Sequence, residues 1–143
     1  MAQINSATAV WNGTLKEGAG ELSLPKASAT FSYDFGSRFE RGNTTNPEEL
    51  IGGALSACFS MYLSALFSKE GLQNTQVEST AEVHLDGSQS PPIITTILLD
   101  VKATAPGLSQ DQFDNLLKQT ENECPVKNLY QGANISIRNA QLN

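Results

Sequence analysis

The sequence predicts an α+β fold: short strands, one long helix, a pair of longer strands, a second helix and a closing strand. Three observations carry that expectation. Two segments alternate apolar and polar residues with a period of two. A run from position 47 to 69 opens on a helix cap and is apolar on almost every side. A second capped, amphipathic segment follows nearer the C-terminus.

Taken in order, Thr8, Val10 and Trp11 read as a strand leading into Asn12-Gly13, the dipeptide that most favours a tight hairpin turn. Glu21 to Leu24 is a second strand, closed by Pro25. From Ala29 to Phe35, Ala29, Phe31, Tyr33 and Phe35 share one face and Thr30, Ser32 and Asp34 the other, the mark of a half-buried antiparallel strand. A polar stretch from Gly36 to Thr45 then holds Arg38 and Arg41. It ends in Asn46-Pro47-Glu48-Glu49. Asn46 suits the N-cap and Pro47 the first helical position, while Glu49 is placed to return as a capping-box carboxylate.

The helix so begun runs to Lys69, with Gly71 as its stop, and is roughly 35 Å long. It has almost no polar stripe, so it is expected to be buried, yet a chain this short can hardly wrap it completely. That is a first hint of an oligomer. Val77 to Leu85 and Ile93 to Thr104 read as two strands of one hairpin, with His84 on the solvent side. Ser109-x-x-Gln112 is a capping box for a helix to Glu123, where Cys124-Pro125 interrupts it. Asn134 to Arg138 is the last strand.

A length of 143 residues suits a single domain, 1-143, with enough apolar material (39%) for a core that needs no staple. Nine Lys and Arg against fifteen Asp and Glu give a net charge of −6, which argues against a nucleic-acid face. The run from Leu50 to Ser68 is interrupted by two glycines and several serines, so no membrane span is expected. No signal peptide is read at the N-terminus, and the expected compartment is the cytoplasm.

Thiol chemistry is the most interesting survivor. The chain has two cysteines, no Cys-x-x-Cys and a single histidine, which leaves no zinc site of ordinary spacing. A lone cysteine in a buried helix, such as Cys58, is usually core filler. Cys124, beside a proline at a helix break, is poorly placed for that role. One cysteine in mid-helix and one at a joint is the arrangement of a nucleophile with a resolving partner. Arg38 and Arg41 read either as solvated loop charges or as partners of an anion. A thiolate is such an anion, since a neighbouring guanidinium lowers a thiol's pKa, and Glu48 would orient that guanidinium as a bidentate partner. On a continuous helix Glu48 and Cys58 stand about 15 Å apart along the axis. Either Gly52-Gly53 breaks the helix, or Glu48 serves the Cys58 of a second chain in an antiparallel dimer, the arrangement that also buries the helix.

These residues lie in motifs that resemble the OsmC/Ohr family, and within it the osmotically inducible protein C branch. They are Gly36-Ser37-Arg38-Phe39-Glu40, Thr45-Asn46-Pro47-Glu48-Glu49-Leu50-Ile51-Gly52, Ser56-Ala57-Cys58-Phe59-Ser60-Met61 and Cys124-Pro125-Val126. The resemblance covers essentially the whole chain. It implies an intertwined homodimer in which sheets enclose long central helices and active sites lie at the subunit interface. It also implies a thiol peroxidase for organic hydroperoxides, with Cys58 peroxidatic, Cys124 resolving, Arg38 stabilising the thiolate and Glu48 holding Arg38. The reductant implied is a dithiol, of the kind a lipoylated protein carries, and no metal, haem or flavin is implied. An apolar pocket of Phe, Leu and Met would favour alkyl hydroperoxides over hydrogen peroxide. The competing expectations are a redox sensor using the same disulfide and a binding dimer with packing cysteines.

Overall fold

The computed structural model describes residues 2–143. They gather into two units, one ending at Leu50 and the other spanning Ile51–Asn143.

In the first unit, β1 (Thr8–Asn12), β2 (Ala19–Leu24) and β3 (Ala29–Asp34) form an antiparallel sheet in chain order. The register sets Ala9 beside Leu22 and Leu22 beside Phe31, and likewise Trp11, Gly20 and Tyr33 across the next row. Glycine is needed at position 20, because a Cβ there would sit 2.3 Å from the Tyr33 ring. The turn after β1 is longer than Asn12-Gly13 alone predicts. Gly13 does take a positive φ of 94°, but β2 resumes only at Ala19. The cause is the indole: Trp11 Nε1 donates to the carbonyls of Gly13 and Thr14, 3.2 Å each, and folds the loop over itself.

β3 also stops one residue early. The segment expected to be a polar loop starts as a short helix, α1 (Phe35–Phe39), because Asp34 caps it. The Asp34 carboxylate accepts the Ser37 N–H at 2.7 Å, and the Ser37 hydroxyl accepts the Asp34 N–H in return.

The helix α2 spans Pro47–Lys69, as the sequence predicts, and runs unbroken through Gly52 and Gly53. Asn46 caps it by accepting the Glu49 N–H at 2.8 Å. The Glu49 carboxylate takes the Thr45 hydroxyl rather than closing the expected box.

The second unit holds β4 (Gln76–Asp86), β5 (Ile93–Thr104), α3 (Gln110–Glu123), α4 (Pro125–Leu129) and β6 (Asn134–Leu142). β5 is the middle strand, antiparallel to β4 and parallel to β6, with α3 and α4 in the crossover to β6. Leu55, Phe59, Leu63 and Phe67 of α2 are buried with Ile97, Leu99 and Val101 of β5 and Phe113 of α3. Position 52 must be small, since a Cβ there would lie 3.0 Å from the Ala81 carbonyl of β4. β6 continues to Leu142, past the predicted end at Arg138, because its pairing with β5 resumes after a register shift between Leu99 and Asp100.

The α2 helix is not buried all round within this chain. Gly53, Ala54, Ala57, Met61 and Ala65 form an exposed stripe, with Met61 at 74% exposure. By length and composition alone α2 would also suffice to cross a membrane, although glycines and serines interrupt its apolar run. Its opposite face, packed on β5 and α3, gives it the role of a core helix.

Candidate active site

The first constellation is built on α1 and the start of α2. Arg38 Nε and Nη2 both donate to Glu48 Oε1, at 3.1 and 2.9 Å. The sequence places these residues well. The Asp34 cap fixes α1, Ser37 Oγ donates to the Thr45 carbonyl at 2.8 Å, and Asn46 Nδ2 donates to the Ser37 carbonyl at 2.8 Å. These bonds tie the arginine's helix to the cap of the glutamate's helix. Gly42 closes the loop against Ser37, where a Cβ would come within 2.5 Å of the Ser37 backbone nitrogen.

Glu48 is buried and its Oε2 has no hydrogen-bond partner, whereas the Arg38 side chain is 39% exposed and lies 5.3 Å over the Phe39 ring. Arg38 Nη1 makes no hydrogen bond among the described residues. A fixed guanidinium with an N–H group left without a partner among the described residues is suited to hold an anion.

The second constellation joins Cys58 of α2 to Cys124 at the α3–α4 joint. Both thiols are free, and their Sγ atoms are 3.3 Å apart. Cys124 is fully buried, whereas Cys58 is half-buried. Burial pushes the Cys124 thiol up from its ordinary pKa, and the neighbouring Cys58 adds to the rise. Cys124 terminates α3 and opens α4 through an extended conformation (φ −63°, ψ 115°), the break that Pro125 enforces. The expectation that this position is poor for core filler needs qualifying, since Cys124 does sit in the core of the second unit.

Of the residues singled out from sequence, the structure joins Arg38 to Glu48 and Cys58 to Cys124. Arg41 is exposed and forms no ion pair among the described residues. His84 faces solvent as expected, its Nε2 2.7 Å from Glu82 Oε1. An apolar hollow of about 220 Å³ in the second unit is lined by Ile51, Ile94, Ile97, Tyr130, Gly132 and Ala133.

Sequence reasoning missed Tyr62 and Glu123. Tyr62 stands one helical turn beyond Cys58, Glu123 is the immediate neighbour of Cys124, and the tyrosine hydroxyl donates to the Glu123 carboxylate. No local spacing pairs the two, since they lie 61 positions apart in the chain.

Comparisons with known proteins agree with this architecture. The family model described as "OsmC-like protein" matches residues 40–138. The chain is 38% identical over 117 residues to Peroxiredoxin OsmC of Escherichia coli, covering 81% of this chain and 82% of that protein. It is 31% identical over 99 residues to Organic hydroperoxide resistance protein-like 2 of Staphylococcus epidermidis, covering 68% of this chain and 67% of that one. The crystal structure of an OsmC-like protein from Mycoplasma pneumoniae aligns over the full length of both chains with a TM-score of 0.77 at 15% identity. Two three-stranded sheets with these helices are thus the α+β fold of OsmC and Ohr proteins. The chain belongs to the OsmC-like protein family.

Proposed function

We propose that this protein is a thiol-dependent peroxidase that reduces organic hydroperoxides, and hydrogen peroxide more weakly. The observation that carries the reading is the 3.3 Å approach of the Cys124 and Cys58 sulfurs, which needs only a small movement to reach a disulfide bond of about 2.05 Å. The peroxide chemistry named in the E. coli and S. epidermidis relatives points the same way.

In this reading the Cys58 thiolate attacks the distal peroxide oxygen. The O–O bond breaks, the alkoxide takes a proton and leaves as alcohol, and Cys58 becomes a sulfenic acid. Cys124 then attacks Cys58 Sγ. The S–O bond breaks, and hydroxide leaves as water with the Cys124 proton. An external dithiol, of the kind a lipoylated protein carries, restores both thiols. Arg38 stabilises the thiolate and the departing oxygen, and Glu48 holds Arg38.

The functional unit is a homodimer, and the 143 residues act as one OsmC-like domain. Because α2 is continuous through Gly52-Gly53, the helix break that would bring Glu48 to Cys58 of the same chain is not available. Two α2 helices packed antiparallel bring the Arg38–Glu48 pair of one chain to the partner's Cys58. The same pairing covers the first part of the exposed stripe, Gly53, Ala54 and Ala57.

A steady-state assay with cumene hydroperoxide and a dithiol tests the reading. Turnover is expected from the wild type and none from Cys58→Ser, while Cys124→Ser should consume one equivalent and stop at a sulfenic acid. A disulfide that forms without turnover would make the protein a redox sensor. With neither disulfide nor turnover, the cysteines are packing in a binding dimer.

A further inference from the structure

We propose that Tyr62 and Glu123 are positioning residues for the resolving step, holding the joint at Cys124 against α2 so that its sulfur stays in reach of Cys58. This rests on the cysteine reading of the preceding subsection. Resolution requires two sulfurs on different elements to meet, and one of them sits at a weak point. Cys124 is where α3 ends and α4 begins. No side chain caps α4, Pro125 donates no hydrogen bond, and the local backbone is held by Cys124 N–H to Thr120 (2.9 Å) and Asn128 N–H to Cys124 (3.0 Å). All of these bonds lie within α3 and α4, so none ties the joint to α2.

Tyr62 supplies that tie. Its hydroxyl donates to Glu123, one residue before Cys124, from a position one turn beyond Cys58 on the same helix. Glu123 is itself held, since Gln119 Nε2 donates to its two oxygens at 3.1 and 3.3 Å. Among the described residues, the Tyr62–Glu123 bond and the Cys58–Cys124 contact are the side-chain-to-side-chain hydrogen bonds that join α2 to α3 and its joint. The hydroxyl holds the carboxylate below its ordinary pKa, so the acceptor is ionised and the bond charge-assisted at neutral pH.

Core packing of Phe59, Phe67 and Phe113 fixes the two helices without this bond, so its loss leaves the fold intact. What it changes is how often Cys124 faces the sulfenic acid. Because burial disfavours the Cys124 thiolate, the reactive fraction is small and the resolving rate depends on proximity.

The test is a single-turnover experiment on the full-length reduced protein with one equivalent of cumene hydroperoxide. Cys58 sulfenic acid is trapped with dimedone at timed intervals, and the disulfide is counted by mass spectrometry. For Tyr62→Phe and Glu123→Ala, sulfenic acid should form at the wild-type rate but convert to disulfide about fivefold more slowly, so that dimedone traps more of it at each time. Glu123→Gln keeps an oxygen that accepts the tyrosine proton and should stay within about twofold of wild type. Conversion at the wild-type rate in both Tyr62→Phe and Glu123→Ala overturns the proposal, even if their melting temperatures fall. A wild-type protein that yields neither trapped sulfenic acid nor disulfide overturns the peroxidase reading itself.

Discussion

Arg38 directs two of its nitrogens to a single oxygen of Glu48, which leaves the other oxygen buried without a partner. A lysine at this position keeps the charge but not the fork, so it cannot be held in the same orientation. Arg38→Met should lower kcat/KM for an organic hydroperoxide by about a hundredfold and Arg38→Lys by about tenfold, as expected for loss of a preorganised cationic donor. Both are read by stopped-flow, with circular dichroism confirming the fold. The second thiol carries a pH signature. A neutral thiol whose pKa is raised by burial is mostly protonated through the physiological range, and its thiolate fraction rises about tenfold per pH unit below that pKa. Disulfide formation from the sulfenic acid should therefore accelerate steadily from pH 7 to pH 9, without a plateau at the ordinary cysteine pKa. A rate that bends over at about pH 8.5, the ordinary cysteine pKa, and levels off above it would mean that Cys124 titrates as an exposed thiol.

At the scale of elements, the charged network across the β4–β5–β6 sheet makes a separate prediction. Arg138 of β6 donates to Asp100 of β5 and to Glu82 of β4, so one guanidinium clasps all three strands of the sheet. The bonds from Arg138 and then Asn139 lower the Asp100 carboxyl to about 2. A carboxylate depressed in the folded state adds stability above its unfolded pKa, about 3.9, and loses it as pH falls toward the folded value. Asp100→Asn should therefore flatten the part of the acid-unfolding curve between about pH 4 and pH 2, as measured by denaturant midpoints at each pH. An unchanged curve would show that the clasp does not persist in solution. The same scale shows what was legible beforehand. α2 and α3 were readable to the residue because Asn46-Pro47 and Ser109-x-x-Gln112 are local signals, satisfied by backbone groups within one turn. The β1–β2 loop and α1 were not, because they depend on the Trp11 indole and on a three-residue cap that resembles the strand before it. Arg38, Glu48, Cys58 and Cys124 were nameable from motifs. Tyr62 and Glu123 were not, because their meeting spans 61 positions and no local pattern announces it.

For the whole molecule, the decisive feature is a core helix with one apolar face left open by its own chain. A stripe of Ala54, Ala57, Met61 and Ala65 on a helix this apolar is stable in water once something covers it, and a second copy of the chain does so with two-fold symmetry. Met61→Glu should therefore shift the protein toward monomer in light scattering and abolish turnover, although Met61 touches neither thiol in the proposed chemistry. Mixing then separates a shared site from a self-contained one. Refolded together in equal amounts, Arg38→Met and Cys58→Ser chains form mixed dimers in which one chain supplies Arg38 and the other Cys58. With sites built across the dimer, half of the assemblies regain one of their two sites, and activity returns to about a quarter of wild type. If each site used Arg38 and Cys58 of one chain, every site in the mixture would lack one of the two, and activity would stay at the level of the separate variants.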